Sequence, residues 1–420
     1  VIVRPDERTK QRRSLTHVGG EVQTFGERSL ARALAHALDV SPAAPAGSAP
    51  LAEEAVRGHV HGFHTYPARM HPTTAERLVR LVCPEGASVL DPFCGSGTVL
   101  VEAMIAGRQA IGTDLNPLAV QLARLKTGQW DPASREALVT GARQVDAFAS
   151  ARRKRRAGAT RRYPPEDVAL FDPHVLLEAD SIRAGIRELI ADPRLREALM
   201  LVLSAILMKV SRRASDTSPA VGPRRLAAGY ATRLFVRKSE ELARRLQELA
   251  TRLPAGVVAA RVSLDDALRL RSVAASTVHA VVTSPPYVAT YDYAAHHSVR
   301  MRWLELDASA FLASEVGARR RYARMDAGAA RQTWTRELTE ALRAMRRVCR
   351  PEARIALLLA DSAVQEEALR ADAIVRVAAR DAGFIELARA LQRRPHFHAP
   401  TAWAFRDEPR AEHAFLLRKM

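Results

Sequence analysis

The sequence predicts a doubly wound, Rossmann-like α/β sheet that carries a largely helical insertion. Three stretches support this. The apolar run Val89-Leu90 leads into Asp91-Pro92-Phe93-Cys94-Gly95-Ser96-Gly97-Thr98, and a helical stretch begins at Val99. Glycines at such a turn let the backbone bend sharply and approach a ligand closely. Gln109-Ala110-Ile111-Gly112-Thr113-Asp114-Leu115-Asn116-Pro117 follows, a second strand ending in an acid that suits a ribose diol. Far downstream, the mostly apolar strand Val278 to Val282 runs into Thr283-Ser284-Pro285-Pro286-Tyr287. Both prolines have fixed φ and no N–H, so this turn is rigid and its carbonyls are held out as acceptors. In doubly wound sheets ligands bind at the carboxyl ends of the strands, where these motifs fall.

Taken in order, residues 1–57 read as a loose N-terminal extension, with a short helix around Ser29 to Leu38 and an Ala/Pro-rich linker from Ser41 to Ala52. Order is expected near Val60. His61-Gly62-Phe63-His64-Thr65-Tyr66-Pro67-Ala68-Arg69-Met70 leads to a helix over Ala75 to Val82, with Thr73 or Thr74 as its N-cap. Val99 to Ala106 is the first helix of the sheet, Ala110 to Gly112 its second strand, and Asn116 to Lys126 its second helix, with Pro117 in the first turn.

Residues 131–255 break the pattern. Ser181 to Ile190, Pro193 to Val210 and Ala231 to Leu253 read as helices, and Leu234, Leu242, Leu246 and Leu249 recur at roughly helical spacing. The segment is much longer than an ordinary strand-to-helix connection, so it reads as a helical insertion. It holds the basic run Ala151 to Arg156, which suits either a phosphate-touching loop or a solvated surface, and the polar loop Ser211 to Pro219. The sheet resumes near Gly256 with a strand over Val257 to Val262. Asp265 and Asp266 then lead a short helix over Ala267 to Leu270. After the third motif come helices over Trp334 to Val348 and Ile374 to Ala382, with Gly383 as the C-cap of the latter. Strands follow over Arg354 to Ala360 and Ala414 to Leu417. One catalytic domain is thus expected from residues 58–130 and 256–420.

The 420 residues carry a formal charge of +18, which favours a polyanionic partner, nucleic acid first. Arg dominates the basic residues and Ala is abundant, as in GC-rich genomes, but the excess over acids is not forced by codon bias. Phosphate contact is its expected use. No run of about eighteen apolar residues suggests a membrane span, and no secretory signal is apparent. Cys83, Cys94 and Cys349 are far apart with no CxxC, so neither zinc nor a disulfide framework is suggested and a reducing cytoplasm fits.

Together DPFCGSGT, GTDLNP and TSPPY resemble the DNA amino-methyltransferases that use S-adenosyl-L-methionine, and Ser at the head of SPPY resembles their cytosine-N4 branch. The resemblance implies a class I methyltransferase sheet and a bacterial or archaeal, nucleoid-associated cytoplasmic enzyme. It also implies a cognate restriction nuclease as a partner. By this analogy Asp91, Phe93, Gly95, Gly97, Thr98, Asp114, Leu115 and Asn116 bind the cofactor. Phe63, His64, Tyr66 and Pro67 either wall its methionine part or merely pack the first helix. Asp265 or Asp266 meets its adenine, or both only cap the next turn. Ser284, Pro285, Pro286 and Tyr287 are the catalytic set, with Ser284 and the Pro285 carbonyl holding the amine and Tyr287 stacking on the base. Tyr291, Tyr293 and His296, next to His297, are candidates for the base pocket. The base is flipped from duplex DNA or taken from a single strand. No metal and no covalent intermediate are expected, and the absence of a Pro-Cys pair argues against methylation at cytosine C5. The insertion at 131–255 would choose the DNA sequence, or else only pack or dimerise. Adenine N6, an RNA base amine and a non-enzymatic binding module remain as alternatives.

Overall fold

Short aliphatic runs between glycine and proline breaks form the strands of one sheet, and proline-led amphipathic stretches form the helices around it. The computed structural model describes residues 21–40, 51–213, 221–222, 224–394 and 399–420. The chain begins with β1 (Val22–Gly26), α1 (Arg28–Leu38), α2 (Leu51–Arg57) and a 3-10 turn (His59–Gly62). The cofactor-side half has α3 (Pro72–Val82), β2 (Ser88–Asp91), α4 (Thr98–Ile105), β3 (Gln109–Asp114) and α5 (Pro117–Thr127). The insertion comprises α6 (Pro132–Lys154), α7 (Pro165–Leu170), α8 (Pro173–Leu189), α9 (Pro193–Val210) and α10 (Tyr230–Ala250). The second half begins with β4 (Arg261–Leu264), β5 (Val278–Thr283), α11 (Tyr293–Leu304), α12 (Ser309–Ser314), α13 (Arg319–Tyr322) and α14 (Ala327–Val348). It ends with β6 (Cys349–Ala360), the hairpin β7 (Ser362–Val364) and β8 (Glu367–Leu369), α15 (Ala371–Asp381), β9 (Phe384–Arg393) and β10 (Ala411–Lys419).

Eight strands form the main sheet in the order β1-β9-β10-β6-β5-β2-β3-β4. β4, β3, β2, β5 and β6 are parallel neighbours, and β10 runs antiparallel between β6 and β9. The chain travels outward from β2 through β3 to β4 and then returns to β5 on the other side of β2. The β2–β5 seam is therefore the topological switch point, where a doubly wound sheet opens a crevice at its carboxyl edge. The predicted fold class holds. Among the described residues no helix is long and apolar enough to cross a membrane.

The expected loose N-terminal extension is instead partly built into the sheet. β1 pairs antiparallel with β9 from Val22↔Gln392 to Gly26↔Ala388. Leu34 and Ala37 of α1 are fully buried, in one core with the backs of the central strands. The alternation of β1 is weak because it is an edge strand, so its sequence carries little strand signal. Most of the expected linker (41–50) and loop (214–219 of Ser211–Pro219) lies outside the described residues.

Smaller corrections have local causes. The cap of α3 is His71, whose Nδ1 accepts from the Thr73 N–H at 3.2 Å, because Pro72 already occupies the first helical position. β4 is shorter and later than expected. The stretch after Asp266 is a hydrogen-bonded turn rather than a helix, closed by Leu270 N–H to the Asp266 carbonyl at 2.8 Å. The basic run 151–156 is mostly the end of α6. Arg152 bonds Ser181 at 3.2 Å and Arg153 pairs with buried Glu178 at 3.3 Å, while Lys154, Arg155 and Arg156 face solvent.

The insertion is helical as expected, but it has no core of its own. α9 is buried on every side from Ala198 to Met208, as a central bundle helix must be. Its neighbours in one continuous core include Val60, Phe63, Leu118 and Leu122 from the cofactor side and Val299 and Trp303 of α11. Replacing Leu34 by Ala tests the N-terminal docking. A fully buried leucine truncated in a packed core costs about 2–5 kcal/mol, measurable by chemical denaturation. A loss below about 0.5 kcal/mol, the size of an ordinary surface change, would contradict the docked arrangement.

Candidate active site

The site grows from the ends of β2, β3 and β5. β2 stops at Asp91 because Pro92 cannot continue the ladder. The turn behind it needs left-handed backbone at Gly95 (φ +49°) and Gly97 (φ +85°). A methyl group on Gly95 would stand 3.3 Å from the Tyr66 ring, and one on Gly97 would stand 3.1 Å from the Ala123 backbone. Glycine is thus demanded twice, by conformation and by close approach. Gly97 caps α4, while on the next unit Asn116 caps α5 by accepting from Leu118 N–H at 3.0 Å.

Buried hydrogen bonds tie these ends together. Thr283 Oγ1 donates to Asp91 Oδ1 at 2.6 Å across the switch point, and Phe93 N–H donates to the same oxygen at 3.1 Å. Asp114 Oδ2 accepts from Gly95 N–H and Oδ1 from Asn116 N–H, each at 2.8 Å. A carboxylate has about four acceptor positions, so both acids retain capacity for a ligand. Burial pushes Asp91 up to about 7, opposed by its bonds to Thr283 and Phe93. Burial likewise raises Asp114 to about 6, opposed by the N–H groups of Asn116, Gly95 and Leu115.

Two adjoining cavities open here. The inner one is lined by Asp91, Cys94, Ser96, Thr98, Val99, Arg69 and Met70. The outer one is lined by Asp114, Leu115, Asn116, Asp266, Ala267, Pro286, Tyr293, Phe311, Ser314, Glu315 and Val316. Tyr66, Ala68, Phe93, Gly95 and Ser284 border both. Tyr66 is fixed there by stacking on His297 at 4.9 Å and by a bond from Asn116 Nδ2 to its hydroxyl at 3.2 Å. Ser96 Oγ is buried with no hydrogen-bond partner. An orphaned hydroxyl in a cavity wall is costly unless a ligand completes it.

The sequence-predicted residues divide accordingly. Asp91, Phe93, Gly95, Thr98, Asp114, Leu115, Asn116, Tyr66, Ser284, Pro286 and Tyr293 meet at the cavities, while Gly97 acts only through the turn. The structure places the two acids differently. Asp266 lines the outer cavity, whereas Asp265 is turned onto Ser272, accepting from its N–H at 2.7 Å and its hydroxyl at 2.6 Å.

Phe63 and His64 do not form the cavity wall. Phe63 is buried against the insertion beneath Lys238, and His64 Nε2 lies 3.0 Å from Ser204 Oγ of α9. Apolar packing and a buried polar partner draw both rings away from the cavities, and Pro67 also lies outside them. Pro285, Tyr287, Tyr291 and His296 are likewise not cavity residues. The Tyr287 hydroxyl donates to Glu412 at 2.9 Å, with the Arg410 guanidinium 5.9 Å from its ring. Tyr291 packs on Tyr293 at 5.6 Å and His296 on His297 at 5.6 Å. Sequence reasoning missed Arg69, Ser96, Phe311 and Ser314 to Val316. Ser96 lay within the glycine motif, but the outer segment has no motif of its own. It is held by Glu315, which accepts from Tyr293 N–H at 2.8 Å.

Residues 49–125 match the model of a DNA methylase family, the N6/N4 methyltransferases. The match is confined to this segment, under a fifth of the chain. Over 75 residues the chain is 43% identical to the type II methyltransferase M.MvaI of Kocuria varians, covering 17% of this chain and 16% of the relative. It is 36% identical over 81 residues to the type II methyltransferase M.MjaII of Methanocaldococcus jannaschii, covering 19% and 15%. A tRNA (guanine(10)-N2)-dimethyltransferase of Methanothermobacter thermautotrophicus is 39% identical over 61 residues, covering 14% and 18%. The matched parts thus span less than a fifth of each relative. Among solved structures, an rRNA methyltransferase aviRa of Streptomyces viridochromogenes aligns over 88% of this chain and 94% of its own at 13% identity, with a TM-score of 0.35.

S-adenosyl-L-methionine is the cofactor of this family, and the residues present fit it. The inner cavity offers a carboxylate and the orphaned Ser96 hydroxyl for an amino-acid end. The outer one offers Asp114 with residual acceptor capacity and a second acid, Asp266, beside apolar Leu115 and Phe93.

Asp91→Asn separates charge from shape, because the amide oxygen still accepts from Thr283 and Phe93. Asp91 is raised in the folded state, so its contribution to stability falls as the pH climbs from about 4 to about 7. Without ligand, the variant should melt no lower than the parent at pH 8, and any advantage should fade by pH 5. A variant that loses more stability at pH 8 than at pH 5 would show that the native state favours the charge.

Proposed function

We propose that the chain is an S-adenosyl-L-methionine-dependent DNA methyltransferase acting on the exocyclic N4 amine of cytosine. The observation that carries this reading is the position of Ser284, which borders both cavities at the carboxyl end of β5. A ligand spanning them, amino-acid end inward and nucleoside outward, has its middle beside Ser284. The family match, the SPPY motif and the excess positive charge support DNA as the substrate.

Bound there, the cofactor supplies a methyl group on a positively charged sulfonium. The chain's own residues have three tasks. Asp91, Ser96 and Thr98 hold the amino-acid end, Asp114 the ribose and Asp266 the adenine. Ser284 Oγ and the Pro285 carbonyl accept hydrogen bonds from the target amine. This draws its lone pair out of conjugation, and Ser284 gives the departing proton a route to water. Tyr287, half-buried outside the two cofactor cavities with its hydroxyl anchored by Glu412, stacks on the base as it approaches from that side. Transfer from a sulfonium is already favourable, so positioning is most of the catalysis. The base has to leave the helix stack, or be single-stranded, to reach this depth.

Adenine N6 is the nearest second reading, since its amine suits the same acceptors. The short tRNA-enzyme similarity keeps an RNA substrate as a third. Ser rather than Asp at the head of the motif favours cytosine.

Ser284→Ala is expected to leave cofactor affinity within a few-fold by calorimetry, while transfer of labelled methyl to DNA drops on the order of 10²-fold. Asp114→Ala should do the opposite first, weakening cofactor binding by roughly 10–100-fold through loss of a charged hydrogen-bond partner. Full methyl transfer by Ser284→Ala would remove the assignment of that hydroxyl. For Tyr287 the graded pair is informative. Tyr287→Phe keeps the ring and loses the hydroxyl's bonds to Glu412 and Ser284, so it should retain more turnover than Tyr287→Ala. Equal turnover in both would rule out stacking.

A further inference from the structure

Behind the glycine turn lies a second polar cluster that the methyl-transfer reading does not use. His59 and His61, on the 3-10 turn, lie with ring centroids 4.6 Å apart. His61 Nε2 is 2.6 Å from Glu102 Oε1 on α4. All three residues are buried, at 6%, 1% and 6% exposure. One ligand atom from each falls within 4.8 Å of the others. His59 Nδ1 and His61 Nδ1 are buried with no hydrogen-bond partner, which points to a missing occupant.

We propose that His59, His61 and Glu102 bind a divalent metal ion of the zinc class, which pins the 3-10 turn to α4. Two imidazoles and one carboxylate are a common donor set for such an ion. Ligands at about 2.0–2.1 Å in a tetrahedral set lie about 3.3–3.4 Å apart, so the cluster closes onto a metal when His61 Nε2 and Glu102 Oε1 part from 2.6 Å and the wider separations, at most 4.8 Å, draw in by about 1 Å. The slight exposure of His59 gives an entry path.

The groups facing the cluster are mostly basic. Lys126 lies beside the pair, fully buried, with its Nζ outside any hydrogen bond among the described residues. Arg245 is occupied by Glu241 at 2.7 Å and by the carbonyls of Arg57 and His59. Arg69, Arg252, Arg80 and His71 also lie nearby, with Glu76 on the Glu102 side.

The ion would be structural rather than catalytic, since the cluster does not line either cavity. Its effect on the site is positional. The His61 carbonyl accepts from Arg69 Nη1 at 2.6 Å, and Arg69 lines the inner cavity. Tyr66, on the border of both cavities, follows five residues after His61, and α4 begins at the glycine turn itself. A metal at this point would clamp the segment bearing Tyr66 and Arg69 onto the helix that carries the turn.

The test uses the full chain without a polyhistidine tag. Metal analysis after purification without chelator should find about one equivalent of zinc or a related metal per chain. Stripping with a chelator should lower the melting temperature, and added Zn²⁺ should restore it. Co²⁺ in place of zinc should give a visible d–d band, lost in His59→Ala and weakened in Glu102→Gln. A stripped protein whose melting temperature ignores Zn²⁺ and which gives no cobalt band would overturn the proposal. A band that survives unchanged in folded His59→Ala would also overturn it, as it would mark adventitious surface binding. Should His59→Ala fail to fold, the metal-dependent melting and cobalt spectrum of the parent chain decide the matter. Neither readout depends on methyl transfer, so failure here leaves the enzymatic reading standing.

Discussion

The hydrogen bond from Thr283 to Asp91 is the constraint on which the site depends. It spans the seam between β2 and β5, the place where the sheet reverses its winding. On one side hangs the glycine turn, on the other the rigid Ser-Pro-Pro-Tyr segment. The bond is buried and short, and it joins a carboxyl to a hydroxyl, so it sets the spacing of the two motifs with little slack. Asp114 does the same one strand further out by gripping the glycine turn through Gly95. The crevice is therefore framed by acids whose charge is costly when it is empty. A cationic ligand such as a sulfonium with an amino group would relieve that cost.

The insertion is part of this frame rather than an ornament on it. It shares one core with α5 and α11, and His64 reaches from the cofactor-side segment to Ser204 of α9. His297 of α11 stacks on Tyr66. A shift of the helical bundle would thus be passed on through the His64–Ser204 hydrogen bond and, by way of α11, through the Tyr66–His297 stack at the cavity wall. If the bundle reads DNA sequence, that packing supplies a physical route from recognition to the cofactor site.

The fold class and the core of the site were legible in the sequence because both rest on backbone demands. Left-handed glycines, strand-ending acids and a double proline have few other uses at these spacings. What escaped the sequence depended on partners far along the chain. Phe63 and His64 belong to a motif whose neighbours suggested a cavity wall, but Lys238 and Ser204 claim them. Asp265 and Asp266 are indistinguishable until Ser272 takes the first. The outer wall at Phe311 to Val316 has no local signature, and β1 shows no clean alternation because it borders the sheet edge. Tyr287 was recognised as part of the motif, but its anchor, Glu412, lies 125 residues away.

The central claim is methyl transfer to a cytosine amine. Its most direct measurement is mass spectrometry of nucleosides from the DNA of a methylation-free bacterium expressing this chain, beside a Ser284→Ala control. The account predicts N4-methylcytosine with the intact chain and almost none with the control. N6-methyladenine in its place would contradict the choice of base, and no modified DNA base from a folded protein that binds S-adenosyl-L-methionine would contradict DNA as the substrate.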